Sequence, residues 1–447
     1  MKKLALFTVL LFAFCFPAAA CKNGGGGGDG DEVEYIAREY GSAAKPLYIA
    51  AYDAPDSNYA AQEYFDDLAD AGVNLLIPQP GSFGNSASRE ILLDRAQAAG
   101  MKTMATDNGL SNEGSWNTSQ LEQYMSHPAF AGVHIKDEPG TGDFNVLAQK
   151  SALWKQFTVD NSGQMSDKLF YVNLFPGYVT PGYKQYVTDY VDMVKPQFIS
   201  YDYYPLLGGQ PVAGAVKIRQ SYFIELDMIS HIAKQNGIPV WSIILTAGHE
   251  AMGDVYHTPD AMWLRWQMAV VMTYGVRSIA HYNYRPMGAR HYAFIDFNGK
   301  RTAVFDAVKT ANLEVRAWEN VYMNFEWEGT AGIIGSHGRL NLMLYALEYS
   351  LFKDEIDGVN NIVSTDDILC GVFKDAEGRP GYMLTNATNP YEEKSAAVTV
   401  GFDEEYKGVI VYEKGVPRDV IGLDKNNKVK VDLEPGEGKF LIPLMKK

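Results

Sequence analysis

The feature of this sequence that most limits its fold is an apolar strand followed by a helix, repeated eight times between residues 46 and 320. Most of the strands stop at a polar residue or a proline, and several of the helices stop at glycine. Eight such units in about 275 residues match the number and size of the units in a (β/α)8, or TIM, barrel. An open doubly wound sheet is the alternative, but no glycine-rich G-x-G-x-x-G turn follows the first strand.

The sequence changes character after about residue 325, where helices give way to short alternating strands separated by turns such as Glu434–Gly438. Strands of this kind predict a β-sandwich. We therefore predict an α/β fold with four segments: a lipoprotein signal peptide (1–20), a flexible glycine-rich and acidic tether (21–44), a catalytic (β/α)8 barrel (45–324) and a C-terminal all-β sandwich (325–447).

The first twenty residues have the composition of a targeting signal. Lys2 and Lys3 form a basic start, Leu4–Phe16 is apolar, and three alanines precede Cys21. This order predicts a lipoprotein signal, with the lipid carried by Cys21 after cleavage. The alternative is simple secretion, in which Cys21 has no special role.

Charge and cysteine content exclude several classes of partner. The chain has 39 Lys and Arg against 54 Asp and Glu, a net charge of −15, and no long basic run. This composition argues against binding to nucleic acid or, by charge, to anionic membranes. Beyond the signal and Cys21 only Cys370 remains, so we expect no disulfide in the mature monomer. No His-x-His or His-Glu-x-x-His spacing is present, and we predict no metal and no cofactor.

The predicted fourth strand ends in an acidic pair. It runs from Gly132 to Asp137-Glu138-Pro139, and proline cannot extend a sheet ladder. Simple alternation along this strand places Lys136 and Glu138 on one face and Asp137 on the other. In a TIM barrel the carboxyl ends of the strands form one mouth, where the chemistry takes place.

The other predicted strand ends supply carboxylates, amides and aromatic rings. Carbohydrate recognition uses such a set, because acids and amides bind hydroxyl groups and flat rings cover the apolar faces of sugars. Glycoside hydrolysis also needs two carboxyl groups that flank the scissile bond, one of them protonated. The residues that we predict to bind substrate are Asp53, Asp137, Asn173, Tyr203, Trp241, Tyr282 and Tyr284.

Two of these strand ends support a family resemblance. Asp137-Glu138-Pro139 resembles the Asn-Glu-Pro end of strand four in the large clan of retaining (β/α)8 glycoside hydrolases. Phe198–Pro205 is similar to the aromatic strand-six end of that clan, and many of its members carry an added β-sandwich. The pattern over residues 45–320 looks closest to hydrolase-like surface lipoproteins of gut Bacteroidetes.

The resemblance implies a role and a location. The clan's glutamate at this place is the general acid/base, which carries over to Glu138. Lipoproteins of this type imply anchoring to the outer membrane through the N-terminal lipid alone. We expect exposure at the cell surface, with the periplasmic face as the alternative.

The second catalytic carboxylate is not supplied by the resemblance. In the clan a nucleophilic glutamate ends strand seven, whereas here Val240–Leu245 is followed by Thr246. Asp202, at the end of strand six, and Glu250, in the loop after strand seven, are the two candidates. Asp202 is favoured because strand positions are held more rigidly than loop positions.

These observations predict a glycoside hydrolase that acts on a glycan or oligosaccharide at the cell envelope by carboxylate general acid/base catalysis. The alternative is a non-catalytic glycan-binding lipoprotein on a degenerate hydrolase barrel, which the missing strand-seven acid favours. An esterase is disfavoured because the sequence has no Gly-x-Ser-x-Gly motif.

Overall fold

A computed structural model of the protein describes residues 35–36, 40–53, 55–79, 86–112, 114–208, 216–288, 291–338, 344, 346–352, 355–414, 416–417 and 420–447. The predicted signal peptide, the predicted lipidation residue Cys21 and most of the predicted tether lie outside these residues. At the described part of the tether, the Ile36 N–H donates to the Met445 carbonyl (3.0 Å). The chain therefore already pairs with the last strand before the barrel begins.

Eight parallel strands close into a barrel in which each strand pairs with its neighbours in sequence and β8 pairs with β1. Their side chains are buried along almost the whole length, as expected for parallel strands covered by helices. The predicted TIM-barrel class is confirmed. The strands are β1 (Tyr48–Tyr52), β2 (Leu75–Ile77), β3 (Lys102–Ala105), β4 (Phe130–Asp137), β5 (Leu169–Leu174), β6 (Ile199–Tyr203), β7 (Val240–Leu245) and β8 (Ser278–Tyr282).

A helix follows each barrel strand, and side-chain caps mark where several of them begin. The Asp260 carboxylate accepts from the Trp263 N–H (3.0 Å) at the start of α7, and Thr302 caps α8 in the same way. The helices are α1 (Gln62–Asp70), α2 (Ser86–Ala98), α3 (Leu121–Tyr124), α4 (Phe144–Asp160), α5 (Tyr183–Val194), α6 (Tyr222–Gln235), α7 (Ala261–Thr273) and α8 (Ala303–Arg316). Among the described helices, none is long and apolar enough to cross a lipid bilayer.

The C-terminal part consists of two antiparallel sheets that enclose a separate apolar core, consistent with the predicted sandwich. It packs against the outer side of α7, where the Thr273 and Thr385 hydroxyl oxygens lie 2.6 Å apart. The principal strands are Phe325–Ile333, Val359–Ser364, Ile368–Asp375, Pro380–Asn386, Ala396–Phe402, Tyr406–Glu413, Lys428–Leu433 and Gly438–Met445. This placement leaves the carboxyl ends of the barrel strands to be covered by the barrel's own loops.

Candidate active site

The end of β4 is irregular, and the irregularity decides which side chains reach the barrel mouth. His134 pairs with Tyr171 on β5, but the next pair along the ladder joins Lys136 to Val172, so Ile135 is an extra residue in a β-bulge. Lys136 consequently points outward, with 43% of its side chain exposed and its Nζ 3.7 Å from Asp143. The predicted alternation is therefore wrong at this tip: Lys136 points outward, whereas Asp137, predicted to lie on the opposite face from Glu138, lines the same cavity as Glu138.

Glu138 reaches the same cavity by a second departure from regular strand geometry. Its φ of +46° is left-handed, a conformation that non-glycine residues rarely adopt and that occurs often at functional sites. Its backbone N–H donates to the Asn173 carbonyl (2.8 Å), which fixes this turn against β5. The bulge and the turn together make two consecutive carboxylates, Asp137 and Glu138, line one cavity.

Asn173, at the end of β5, joins the carboxylates of two different strands. Its Nδ2 atom donates to Asp137 (3.2 Å) and to Asp202 on β6 (3.0 Å). The Ser200 hydroxyl donates to the side-chain oxygen Oδ1 of Asn173 (3.2 Å), and the Ser200 and Tyr171 hydroxyls lie 3.0 Å apart. The Asn173 amide is thus held in one orientation, with its donor side toward both acids.

Burial and mutual repulsion raise the pKa of the catalytic candidates. Burial, followed by the neighbouring charge of Asp137, raises the pKa of Glu138 to about 7. Asp202 is only 3% exposed, and burial together with Glu138 and Asp137 raises its pKa well above the ordinary range. The Glu138 charge raises the pKa of Asp202, so the two carboxyl groups titrate together, and Glu138, with a pKa of about 7, holds a proton in part of the molecules at neutral pH.

The carboxylates lie at the inner end of a cavity of about 550 Å³, within the range of small-molecule sites. Aromatic rings in mutual contact line its other side. Tyr204 stacks on Tyr282 (4.9 Å between ring centres), and His249 stacks on Tyr256 (4.5 Å). Tyr204 also meets His249 edge to face, so the two stacks form one continuous wall. Flat rings opposite carboxylates suit a ligand with both apolar faces and hydroxyl groups.

Two loops cover this wall with a small antiparallel sheet that the sequence analysis did not predict. Strands Leu206–Leu207 and Lys217–Ile218 follow β6, and His249–Ala251 and Asp254–Tyr256 follow β7. Arg219 braces the sheet, with its guanidinium 2.7 Å from Asp254 and 3.9 Å from the centre of the Tyr178 ring. The hairpin brings several side chains of the β7 loop into the cavity.

The two candidates for the second carboxylate occupy different environments. Both Asp202 and Glu250 line the cavity, in agreement with the prediction that both lie at the mouth of the barrel. Asp202 is buried on a barrel strand and held by Asn173, whereas Glu250 is exposed on the hairpin. The tip of β7 itself carries Thr246, which lies 2.9 Å from His281 Nδ1 and is fully buried.

Four residues predicted to bind substrate do not line the cavity. Trp241 is the second residue of β7 and is 5% exposed; it stacks on Phe198 near the amino ends of the strands, so its assignment to a strand tip is wrong. Tyr203 points outward, because regular alternation turns its hydroxyl to Ser221 (2.7 Å) near the start of α6.

Tyr284 and Asp53 are likewise occupied elsewhere. Tyr284 is buried against Phe294 in the packing under the β8 loop. Asp53 is fully buried and accepts from the Arg285 guanidinium (2.9 Å), which fixes the loop after β8. These contacts make Tyr284 and Asp53 structural supports of the mouth.

Other residues line the cavity without having been predicted to bind substrate. Tyr204 is adjacent to the predicted Tyr203 and could have been chosen by strand alternation alone. Tyr52 on β1 and Ile243 on β7 also line the cavity. Further lining residues come from the loops and the hairpin, and their only sequence signal was proximity to a strand end: Gln79, Tyr178, His249, Tyr256, Met252, Met287 and His291. Within the described residues, no three His, Cys, Asp or Glu side chains are grouped as metal ligands.

No protein-family model and no curated protein match this sequence. The structure is similar to Gan42B, a GH42 β-galactosidase from G. stearothermophilus solved as a catalytic mutant. The TM-score is 0.54 at 9% identity, over 92% of this chain and 100% of that chain. This likeness supports the fold class, a parallel eight-stranded barrel with additional C-terminal sheets.

Two further solved structures are also glycosidases. A β-galactosidase from the psychrophilic Marinomonas ef1 gives a TM-score of 0.41 at 10% identity, over 65% of this chain. This chain spans 63% of the length of that enzyme. AbfB, a family 51 α-L-arabinofuranosidase from Bifidobacterium longum, gives a TM-score of 0.45 at 12% identity, over 91% of this chain and 97% of that chain. All three of these structures are glycosidases with 9–12% sequence identity to this chain.

Proposed function

We propose that the protein is a glycoside hydrolase whose catalytic pair is Glu138 and Asp202. The observation that carries this proposal is that Glu138, Asp202 and Asp137 line the inner end of one cavity, where Asn173 bonds the two aspartates. Glycosidases need one protonated and one ionised carboxyl group at the same bond. A buried pair that shares a proton near neutral pH meets that requirement.

The roles within the pair follow from the hydrogen bonds. Asp202 accepts from Asn173, which favours its ionised form, whereas the contact made by Glu138 is through its backbone N–H. Protonation of Glu138 removes its contribution to the raised pKa of Asp202, and the Asn173 hydrogen bond then acts against burial, which is the largest cause of that raised pKa. Glu138 then protonates the leaving oxygen, and the Asp202 carboxylate serves as nucleophile or as base on a water molecule.

Asp137 and Glu250 take secondary roles in this scheme. Asp137 adjoins Glu138 in sequence, and its charge helps to keep the Glu138 proton in place. Its oxygens are also available to sugar hydroxyls in the cavity. Glu250 is exposed on a hairpin, where side-chain position is less fixed, so it contacts the substrate without carrying the reaction.

The location proposed for this activity is the outer membrane. The basic start, apolar run and small residues before Cys21 support a lipid anchor at that cysteine. The substrate is then a glycan or oligosaccharide that meets the protein at the cell surface. Metabolic labelling with a fatty-acid analogue tests the anchor, and labelling that persists in Cys21→Ser contradicts it.

The catalytic assignment is tested with Glu138→Gln on a panel of glycosides and oligosaccharides. Removing a general acid lowers kcat/KM by about 10²–10⁴-fold. Glu63→Gln, on the exposed first turn of α1, is the matched control and should retain parental activity. Parental rates in folded Glu138→Gln would exclude this residue as the proton donor.

A non-catalytic glycan-binding protein is the second candidate function. The observation that favours it is the end of β7, where Thr246 is bonded to His281 and no carboxylate is present. The same panel separates the two functions. Binding of a glycan without product formation by the parent protein would support the second candidate over the first.

A further inference from the structure

The tip of the hairpin after β7 carries an apolar residue where a polar one is expected. Ala251 pairs with Asp254, which leaves Met252 and Gly253 as a two-residue loop. Both have positive φ, +52° and +85°, as in a type I′ turn, whose usual sequence is Asn-Gly. Met252 is nevertheless 78% exposed and lines the cavity. Positive φ disfavours a residue with a long side chain, and exposure to water disfavours an apolar one. The presence of methionine at this position therefore needs another explanation.

A second exposed methionine faces the same cavity from the loop after β8. Met287 is 56% exposed, yet it is held in place from two sides. Its sulfur accepts from the Tyr282 hydroxyl (3.7 Å), and its N–H donates to His291 Nδ1 (3.1 Å). We call Met252 and Met287 the rim.

The rim differs chemically from the inner end of the cavity. Thioethers offer a sugar hydroxyl no donor and only a weak acceptor, whereas they make favourable contacts with alkyl chains and aromatic rings. Exposed apolar side chains that continue a ligand cavity mark a binding surface. Glu250 also lines this side, so a ligand here meets one carboxylate beside two thioethers. The cavity therefore suits a molecule that is polar at one end and apolar at the other.

We propose that the glycan or oligosaccharide is attached to an apolar leaving group, an alkyl or aryl aglycone that lies against Met252 and Met287. This inference rests on the proposed glycosidase function and specifies its substrate class. The sugar occupies the inner end at Asp137, Glu138 and Asp202, and the aglycone extends past the aromatic wall to the rim. A polymer of unsubstituted sugars would leave the thioethers without an apolar partner.

The test compares methyl and octyl glycosides of the same sugar and anomer, below the micelle concentration of the octyl compound. The two leaving alcohols are chemically similar, so a rate difference reports contact with the alkyl chain. For the parent we expect kcat/KM to be at least about tenfold higher for the octyl glycoside. Met252→Asn and Met287→Gln should each reduce this ratio by about threefold or more.

The choice of variants separates binding from folding. Met252→Asn creates the preferred Asn-Gly turn, so its thermal midpoint should equal or exceed that of the parent while the octyl preference falls. Met193→Gln is the control: it is exposed near the C-terminal end of α5, which lies toward the amino ends of the strands, and it should keep the parental ratio. An octyl-to-methyl ratio near one in the parent, or an unchanged ratio in both rim variants, overturns the proposal.

Two other results have a defined meaning. If the parent cleaves neither compound for any sugar and anomer of the panel, the proposed hydrolase function fails. Calorimetric binding of the methyl and octyl glycosides then tests the rim alone. Tighter octyl binding that both rim variants weaken supports the rim, and equal binding overturns it. If the parent is a dimer and both rim variants are monomers, the rim binds a second copy of the chain. That result likewise overturns the proposal.

Discussion

The two sides of the cavity are built in different ways. The acidic side, Asp137, Glu138, Asn173 and Asp202, stands at the ends of adjacent barrel strands, and Asn173 hydrogen-bonds both aspartates. The aromatic side consists of Tyr204, Tyr282 and the rings of the β7 hairpin, which belong to strand ends and loops. Strands hold groups more precisely than loops do, whereas loops vary more freely. For this reason we propose that the acidic side carries out the hydrolysis and that the aromatic side selects the substrate.

The charges of the two sides differ as well. Burial and like charges raise the pKa values on the acidic side, where Glu138 reaches about 7. On the aromatic side burial lowers the pKa of His249, and burial with the charges of His249 and Arg285 lowers that of His291 to about 4. Both imidazoles are therefore neutral at pH 7. The acidic side changes charge near neutrality while the aromatic side does not.

The largest expected effect lies on the acidic side, between the two candidates for the second carboxylate. Asp202→Asn should lower kcat on the order of 10³-fold, because it removes a carboxylate that acts in the transition state. Glu250→Gln makes the same replacement of a carboxylate by an amide, but on the hairpin, and should change kcat by about tenfold or less. Steady-state kinetics of both folded variants measure the contrast. The reverse order would make Glu250 the catalytic partner of Glu138.

A smaller effect is expected on the aromatic side. Tyr282→Leu removes one ring of the Tyr204 stack and should raise KM about tenfold, the scale of one aromatic contact. We expect kcat to stay within about threefold, since this wall binds ground state and transition state alike. Tyr282→Phe keeps the ring and is the matched control. A fall in kcat with unchanged KM would place Tyr282 among the groups that act on the reacting bond.

The regular part of the molecule was predictable from the sequence. The hydrophobic periodicity and the residues that end the strands predicted the barrel. For β7 the predicted bounds, Val240–Leu245, are those of the structure. Such segments follow from local rules of burial that a single sequence displays. The gathering of Asp137, Glu138 and Asp202 at one mouth follows from the parallel arrangement alone.

The errors arose where tertiary contacts override local pattern. One extra residue, Ile135, reverses the alternation at the end of β4, and a bulge has no periodic signal. Trp241 was placed at a strand end by its chemical type, although its position in β7 puts it near the other end. The β7 hairpin depends on pairing with the β6 loop, which no local rule predicts.

The smallest expected effect is on stability, and it tests the environment of Glu138 without measuring catalysis. Its pKa is raised from its ordinary value to about 7 in the folded chain, mainly by burial. The unfolded chain therefore ionises first as the pH rises, and folding loses stability between about pH 4.5 and pH 7. Glu138→Gln cannot ionise, so it should lack this loss.

We expect folded Glu138→Gln to match the parent near pH 4 and to exceed its free energy of unfolding above pH 7. The gain should be about 1–2 kcal/mol after allowance for partial solvent screening of the side chain. Denaturant titrations of both proteins across this range measure the difference, and Glu63→Gln again serves as the exposed control. A difference that stays constant with pH would mean that Glu138 ionises normally. The acidic side would then lack the proton that distinguishes it from the aromatic side.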